Sequence, residues 1–229
     1  MASSGRSWGE LARRLDEVPQ ERGRLDVGVR AATELVPGCD HASVTMVERH
    51  STATLAVTGP RVLRGDQLQY ASGEGPCLEA ARTPEPVLSQ DLAAETRWPR
   101  WSPHAVQEVG LRSVLSLQLR TSQRSFGSLN LYADRPGAYT AACVSAAELV
   151  AAHLAVAVAA GREADQLRLA MAGRTVVGQA QGLLMERLGP TPDEAFSHLR
   201  RLSQHQNRKL AEVAGELVET RVLPPDRGR

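Results

Sequence analysis

Val176-Val177-Gly178-Gln179-Ala180-Gln181-Gly182-Leu183-Leu184-Met185-Glu186-Arg187 reads as a helical run. Gly189-Pro190 ends it, one residue tolerating unusual dihedrals and the next unable to continue a helix. Thr191-Pro192-Asp193-Glu194 starts a second helix: a hydroxyl N-cap, proline at the first helical position and glutamate three residues after the cap. Phe196, Leu199 and Leu202 follow at helical spacing, so the phase places Phe196 in a core, with Arg200, Arg201 and Gln204 on the other faces. Asn207 offers the cap of a third helix. That helix repeats Leu210, Val213, Ala214, Leu217 and Val218 at i, i+3, i+4, i+7 and i+8. Three short amphipathic helices can share one small core. Between residues 195 and 211 the cations Arg200, Arg201, Arg208 and Lys209 occur with no carboxylate, a local pattern that suits a polyanion better than the whole-chain net charge of +1 does.

These residues resemble the ANTAR domain, a three-helix RNA-binding module of bacterial transcription antitermination regulators. The resemblance rests on Gln179-Ala180-x-Gly182-x-Leu184-Met185, Glu194-Ala195-Phe196, Leu199-Arg200, Ser203-Gln204 and Asn207-Arg208-Lys209-Leu210-x-x-Val213-Ala214, in order and at the family's spacing. One position departs from the pattern: Gln181 stands where the family usually has lysine, replacing a cation with an amide. The resemblance implies RNA contact by Arg174, Gln179, Gln181, Arg200, Arg201, Ser203, Gln204, Asn207, Arg208 and Lys209. The competing reading is that these charges are simply the solvated faces of two helices. With Phe196 assigned to the core, contacts through charge and amides are expected rather than base stacking. Splayed bases of a hairpin loop suit such a surface, because the major groove of an A-form duplex is too deep and narrow for side chains to read.

The 229 residues, 42% of them hydrophobic, allow a domain of ordinary size plus a small appendage. Cysteines 39, 77 and 143 show neither CxxC nor metal-ligand spacing, and with no signal peptide read at the amino terminus they suggest a reducing cytoplasm. The six histidines share no metal-binding spacing either, so neither a metal nor another cofactor is expected. Residues 141–160 are the one candidate membrane segment, but alanine dominates them and Glu148 and His153 interrupt them, which predicts a packing helix in a soluble protein.

Upstream, residues 7–17 and 25–36 read as helices, the second stopped by Pro37-Gly38. Val44-Thr45-Met46-Val47 and Leu55-Ala56-Val57 flank a polar turn. Leu115, Leu117 and Leu119, then Leu129 and Leu131, alternate with polar residues as half-buried strands do, with a turn at residues 121–124. An α+β domain with a central antiparallel sheet flanked by helices follows. Its element order, together with Gln69-Tyr70-x-x-Gly73-Glu74-Gly75-Pro76-Cys77-Leu78-Glu79-Ala80, Asp91-Leu92, Arg97-Trp98-Pro99 and Gly127-Ser128-Leu129-Asn130-Leu131-Tyr132, resembles the GAF domains fused ahead of ANTAR domains. The resemblance implies a sensory fold that often holds a small ligand.

The expected organisation is a leader with a helix (residues 1–24), a GAF domain (25–160), an all-α three-helix ANTAR domain (161–221) joined through a long helix, and a disordered tail (222–229). Tyr70, Cys77 and Trp98 are candidate ligand contacts, each competing with ordinary packing. Cys77 stands either at an activating helix start or as a small buried hydrophobe. Helix-forming residues with few breaks connect the domains, and their small alanines suit pairing with a second copy. The expected activity is signal-controlled antitermination on nascent RNA hairpins. The alternatives are a DNA-binding regulator using a helix-turn-helix and a GAF-type methionine sulfoxide reductase using a cysteine thiol.

Overall fold

The computed structural model describes residues 8–222 apart from 49 and 50. The expected helix start at Ser7 and all of the expected tail beyond Val222 lie outside the described residues. The chain runs α1 (Trp8–Glu17), α2 (Glu21–Leu35), β1 (His41–Glu48), β2 (Ser51–Val57), α3 (Pro60–Ser72), α4 (Pro76–Ala80), β3 (Val87–Ser89), α5 (Ser102–His104), a π turn (Ala105–Val109), β4 (Ser113–Arg120), β5 (Ser125–Ala133), α6 (Ala141–Leu188), α7 (Pro192–Gln206) and α8 (Leu210–Thr220). The residues separate into two compact units between Arg162 and Glu163.

In the first unit five strands form an antiparallel sheet in the order β2-β1-β5-β4-β3. Alternation along the strands gives the sheet two unlike faces. Ala42, Val44, Met46, Leu115, Leu117, Leu119, Leu129 and Leu131 enter one core, shared with α1, α2 and the start of α6. Ser43, Thr45, Ser116, Ser128 and Asn130 alternate with them and are also fully buried, so the opposite face is dry and polar at its centre, while Val87, Val114 and Tyr132 carry it into a second apolar cluster with Trp98, Trp101 and Leu111. Gly127 makes the close β1–β5 approach possible: its φ is +148°, and a Cβ there would meet Thr45 O at 2.0 Å.

Three differences from the sequence expectation have physical causes. α3 escapes a hydrophobic-periodicity reading because its buried positions Val62, Gly65, Asp66 and Gln69 have the helical spacing but are half polar. α2 begins at Glu21, four residues before the first apolar residue that marks it. The run 176–187 belongs to no short helix, because α6 continues unbroken through 48 residues.

By length and composition α6 could cross a membrane. Its first part is instead a core helix, with Cys143, Ala147, Val150, Ala151, Leu154, Ala155 and Val158 buried at helical spacing against the first unit's core. In the second unit Ala180 and Leu184 of α6 pack with Ala195 and Leu199 of α7 and with Ala214 and Leu217 of α8.

Candidate functional site

The start of α7 follows the sequence closely. Glu194 N–H donates to the Thr191 hydroxyl, and Glu194 Oε2 accepts from Thr191 N–H at 2.8 Å, closing the expected capping box. The end of α7 differs. Asn207 does not cap α8; it closes α7 in the left-handed conformation (φ 50°, ψ 41°), with its N–H donating to Ser203 and Gln204 carbonyls. Asparagine tolerates that conformation better than most residues. Lys209 is therefore the N-cap of α8, and its side chain makes no capping bond.

Phe196 also departs from its expected place. Ala195, Leu199 and Leu202 fill the buried face of α7, while Phe196 is 38% exposed. It heads a stripe with Arg200, Gln204 and Asn207 at i, i+4, i+8 and i+11, all exposed. An open cavity of about 490 Å³ lies beside it, lined by Ala170, Gly173, Arg174, Val177 and Gln181 of α6 and by Leu210 and Ala211 of α8. Gln181 Nε2 donates to Pro192 O at 3.1 Å, so this amide also anchors the entry to α7.

The candidate contacts are thus unequal. Arg174, Arg200 and Lys209 are exposed and make no ion pair among the described residues. Arg208, although in a carboxylate-free stretch of sequence, meets Glu216 of α8 in a salt bridge and reaches Gln206 Oε1 at 3.2 Å. Ser203 uses its hydroxyl on Arg208 O at 2.6 Å, bracing the turn. Arg201 turns to the other side of α7, beside His198, and lines a separate cavity with Leu184, Leu188 and Pro190. Helical phase carries Gln179 about 140° around α6 from Arg174. Arg174 and Gln181 thus share the cavity with Phe196, Arg200 and Gln204 continue its stripe along α7, Lys209 stands exposed at the start of α8, and Gln179 and Arg201 lie aside.

In the first unit a hydrogen-bond network runs from Asp66 across the polar part of the sheet. Asp66 Oδ1 accepts from Tyr132 Oη at 2.6 Å and Oδ2 accepts from Thr54 Oγ1 at 2.9 Å. Each hydroxyl has one proton, so Tyr70 must donate to Thr54 (2.6 Å) and Thr45 to Tyr70 (3.0 Å), with Asn130 Nδ2 donating to Thr45 (3.1 Å). Gln69 donates to Tyr132 (3.1 Å) and accepts from Cys77 N–H (2.9 Å). Gly75 leaves room for this, since a Cβ there would sit 2.3 Å from Gln69 Oε1. Burial raises the Asp66 carboxyl to about 6 against the opposing hydrogen bonds from Tyr132, Ser43 and Thr54.

Tyr70, partly buried, and Cys77, fully buried, belong to this network, and Trp98 does not. Pro76 does begin a helix, but Cys77 is fully buried, and burial followed by the nearby Asp66 charge pushes its thiol well above the usual value. That is the environment of a small core residue, not of a thiolate nucleophile. Trp98 packs edge-on against Trp101 at 5.8 Å and donates to Glu79 at 3.1 Å. It lines a shallow cavity of about 380 Å³ with Gly73, Glu79, Arg82 and Arg97, which includes neither Tyr70 nor Cys77.

Known proteins share both halves. Residues 21–159 match the GAF domain and residues 165–218 match the ANTAR domain. No curated protein matches the chain. Among solved structures, it is similar to the GAF domain of a phosphoenolpyruvate-protein phosphotransferase (ptsP) from Coxiella burnetii, with 16% identity and a TM-score of 0.54 over 69% of this chain and 94% of that one. Free methionine-R-sulfoxide reductase from Neisseria meningitidis gives 16% identity and a TM-score of 0.55, over 69% and 89%. The chromophore-binding domain of the bacteriophytochrome RpBphP3 from R. palustris gives 14% and 0.52 over 69% of this chain, which spans 60% of that domain's length. At these identities the likeness is one of fold. Because the GAF match covers more than half of the chain and the ANTAR match follows directly behind it, the chain belongs to the GAF–ANTAR proteins, regulators that join a GAF sensor domain to an RNA-binding ANTAR domain.

Proposed function

We propose that this chain is a signal-responsive transcription antitermination regulator that grips hairpin loops of nascent RNA through residues 161–221, under control of a sensor formed by residues 25–160. The observation that carries this reading is the exposed stripe of Arg200, Gln204 and Asn207 on α7, with Lys209 and Arg174 near it, inside the ANTAR match. Cations and amides without a carboxylate among them suit phosphates and the edges of unpaired bases. The protein acts in the cytoplasm and needs neither a cofactor nor a membrane.

Two copies act together. On α6 the apolar residues Leu149 and Val156 are 43% and 62% exposed, at a spacing of 7 that returns to nearly one side of a helix. A second α6 covers them, and paired copies engage paired hairpins, so that a terminator is disfavoured. A small molecule that prefers one state of the sensor shifts this equilibrium, and only its difference in affinity for the two states drives the change.

Gel-shift titration of the full chain with hairpin RNA and with duplex DNA of matched sequence tests the partner class. Preference for the hairpin, with read-through of a downstream terminator during transcription in vitro, supports the reading. Preference for the duplex supports a helix-turn-helix regulator built from α7 and α8. Turnover of free methionine sulfoxide that is lost in Cys77→Ser would establish the reductase, a role at odds with the sealed thiol.

A further inference from the structure

Phe196 is the only aromatic residue of the ANTAR match, and the fold leaves it 38% exposed beside a cavity instead of burying it. An apolar ring left in water has an energetic cost unless something covers it. The cavity walls define what fits. Val177, Leu210 and Ala211 are apolar, Arg174 brings a cation, Gln181 brings an amide, and no carboxylate lines the site. Gln181 Nε2 spends one of its two N–H donors on Pro192 O, so its second N–H and its oxygen remain as donor and acceptor. Leu210 and Ala211, in the uncapped first turn of α8, form part of the rim, so backbone donors and the positive end of that helix stand beside the cavity. Arg200 and Gln204 extend the same face along α7.

The geometry points to a pocket for one unpaired nucleobase, stacked on Phe196, read by the Gln181 amide and flanked by phosphates on Arg174 and the start of α8. This rests on the RNA reading above and adds to it: recognition goes beyond charge and includes a stacking platform. The free oxygen and second N–H of Gln181 suit a base edge that places a donor beside an acceptor. Gln181 thereby becomes the residue that selects the base, since its amide can both donate and accept.

The test uses the full chain and RNA hairpins with one fixed stem and a randomised loop, from which the tightest binder is selected. Replacing each loop nucleotide of that binder in turn by an abasic one weakens the parent protein at one position by about 5- to 150-fold, the range for losing one stacked base. Phe196→Leu weakens binding of the intact hairpin by a similar factor and becomes insensitive to the abasic change at that position. Phe196→Tyr keeps the ring and keeps the coupling, which covers the case of a poorly folded leucine variant. Gln181→Leu removes the base preference at the coupled position and leaves the salt dependence unchanged.

Full-strength binding by Phe196→Leu, or abasic losses that add independently to it at every position, overturns the pocket while the RNA reading stands. An unchanged base preference in Gln181→Leu overturns the assignment of the amide. If Phe196→Leu alters self-association and not RNA binding, the cavity is an interface between copies and the proposal falls. If no loop is selected over duplex controls, the RNA reading itself fails and the pocket with it.

Discussion

Asp66 carries the sharpest electrostatic conflict in the chain. Burial favours its neutral form, whereas Tyr132 and Thr54 both donate to it and favour the carboxylate. The outcome is a carboxyl raised from 3.8 to about 6. A folded carboxyl that holds its proton more tightly than the unfolded chain does contributes stability that is complete below about pH 4 and lost as pH rises through about 6. The thermal midpoint of the parent relative to Asp66→Asn is therefore expected to fall between pH 4 and 7, by the equivalent of about 3 kcal/mol. A difference that stays flat over that range would show that Asp66 does not titrate there.

Arg208 and Glu216 give a second residue-scale case. Neither side chain is deeply buried, and such pairs contribute about 0–1 kcal/mol. A phosphate displaces Glu216 at little cost, and Glu216→Gln removes the competitor. Hairpin affinity should rise by up to about fivefold with a steeper salt dependence; unchanged affinity and salt dependence in Glu216→Gln would take Arg208 out of the interface. The sequence showed the cations near Arg208 to be free of acids. It did not show that α8 brings one back.

At the scale of elements, α7 is defined by its two ends and by one buried row. Thr191 and Glu194 satisfy each other's backbone donors. Thr191→Ala should cost about 1 kcal/mol in the unfolding of the second unit, measured by chemical denaturation. The buried row is Ala195, Leu199 and Leu202. Leu199→Ala should cost about 2–5 kcal/mol. Phe196→Leu should cost under about 1.5 kcal/mol, because the ring is only partly packed and the volume is nearly kept. The reverse ranking would restore Phe196 to the core, where helical phase alone had placed it.

The capping box was legible because it is a local pattern of four residues. The exposure of Phe196 was not, since a helix one residue long in phase error still satisfies i, i+3 spacing, and only the positions of α6 and α8 show which side of the row is covered. α3 was hidden for a related reason. Its inward face carries Asp66 and Gln69, so hydrophobic periodicity has nothing to detect.

For the molecule as a whole, one helix contributes to both units. Its first part is buried in the GAF core, and its residues Leu149, Val156 and Leu167 remain in water. Val156→Glu is expected to weaken self-association measured by sedimentation and, with it, binding to a pair of hairpins on one transcript, while binding to one hairpin is kept. An unaltered sedimentation profile would remove α6 from the dimer. The avidity lost in that variant depends on geometry and not on any contact with RNA.

Residue motifs along the chain were enough to give the resemblance to the two families, and local pattern was enough to give the strands at the centre of the sheet and the capped start of α7, because each depends on neighbours a few residues apart. Tertiary structure alone decided that Cys77 is sealed, that Arg208 has an acidic partner, that Asn207 ends one helix instead of starting the next, and that Phe196 faces a cavity. Burial, pairing and exposure are properties of what lies across a gap in space, and residues far apart in sequence, such as Asp66 and Tyr132 or Gln181 and Pro192, supply them only once the chain has folded.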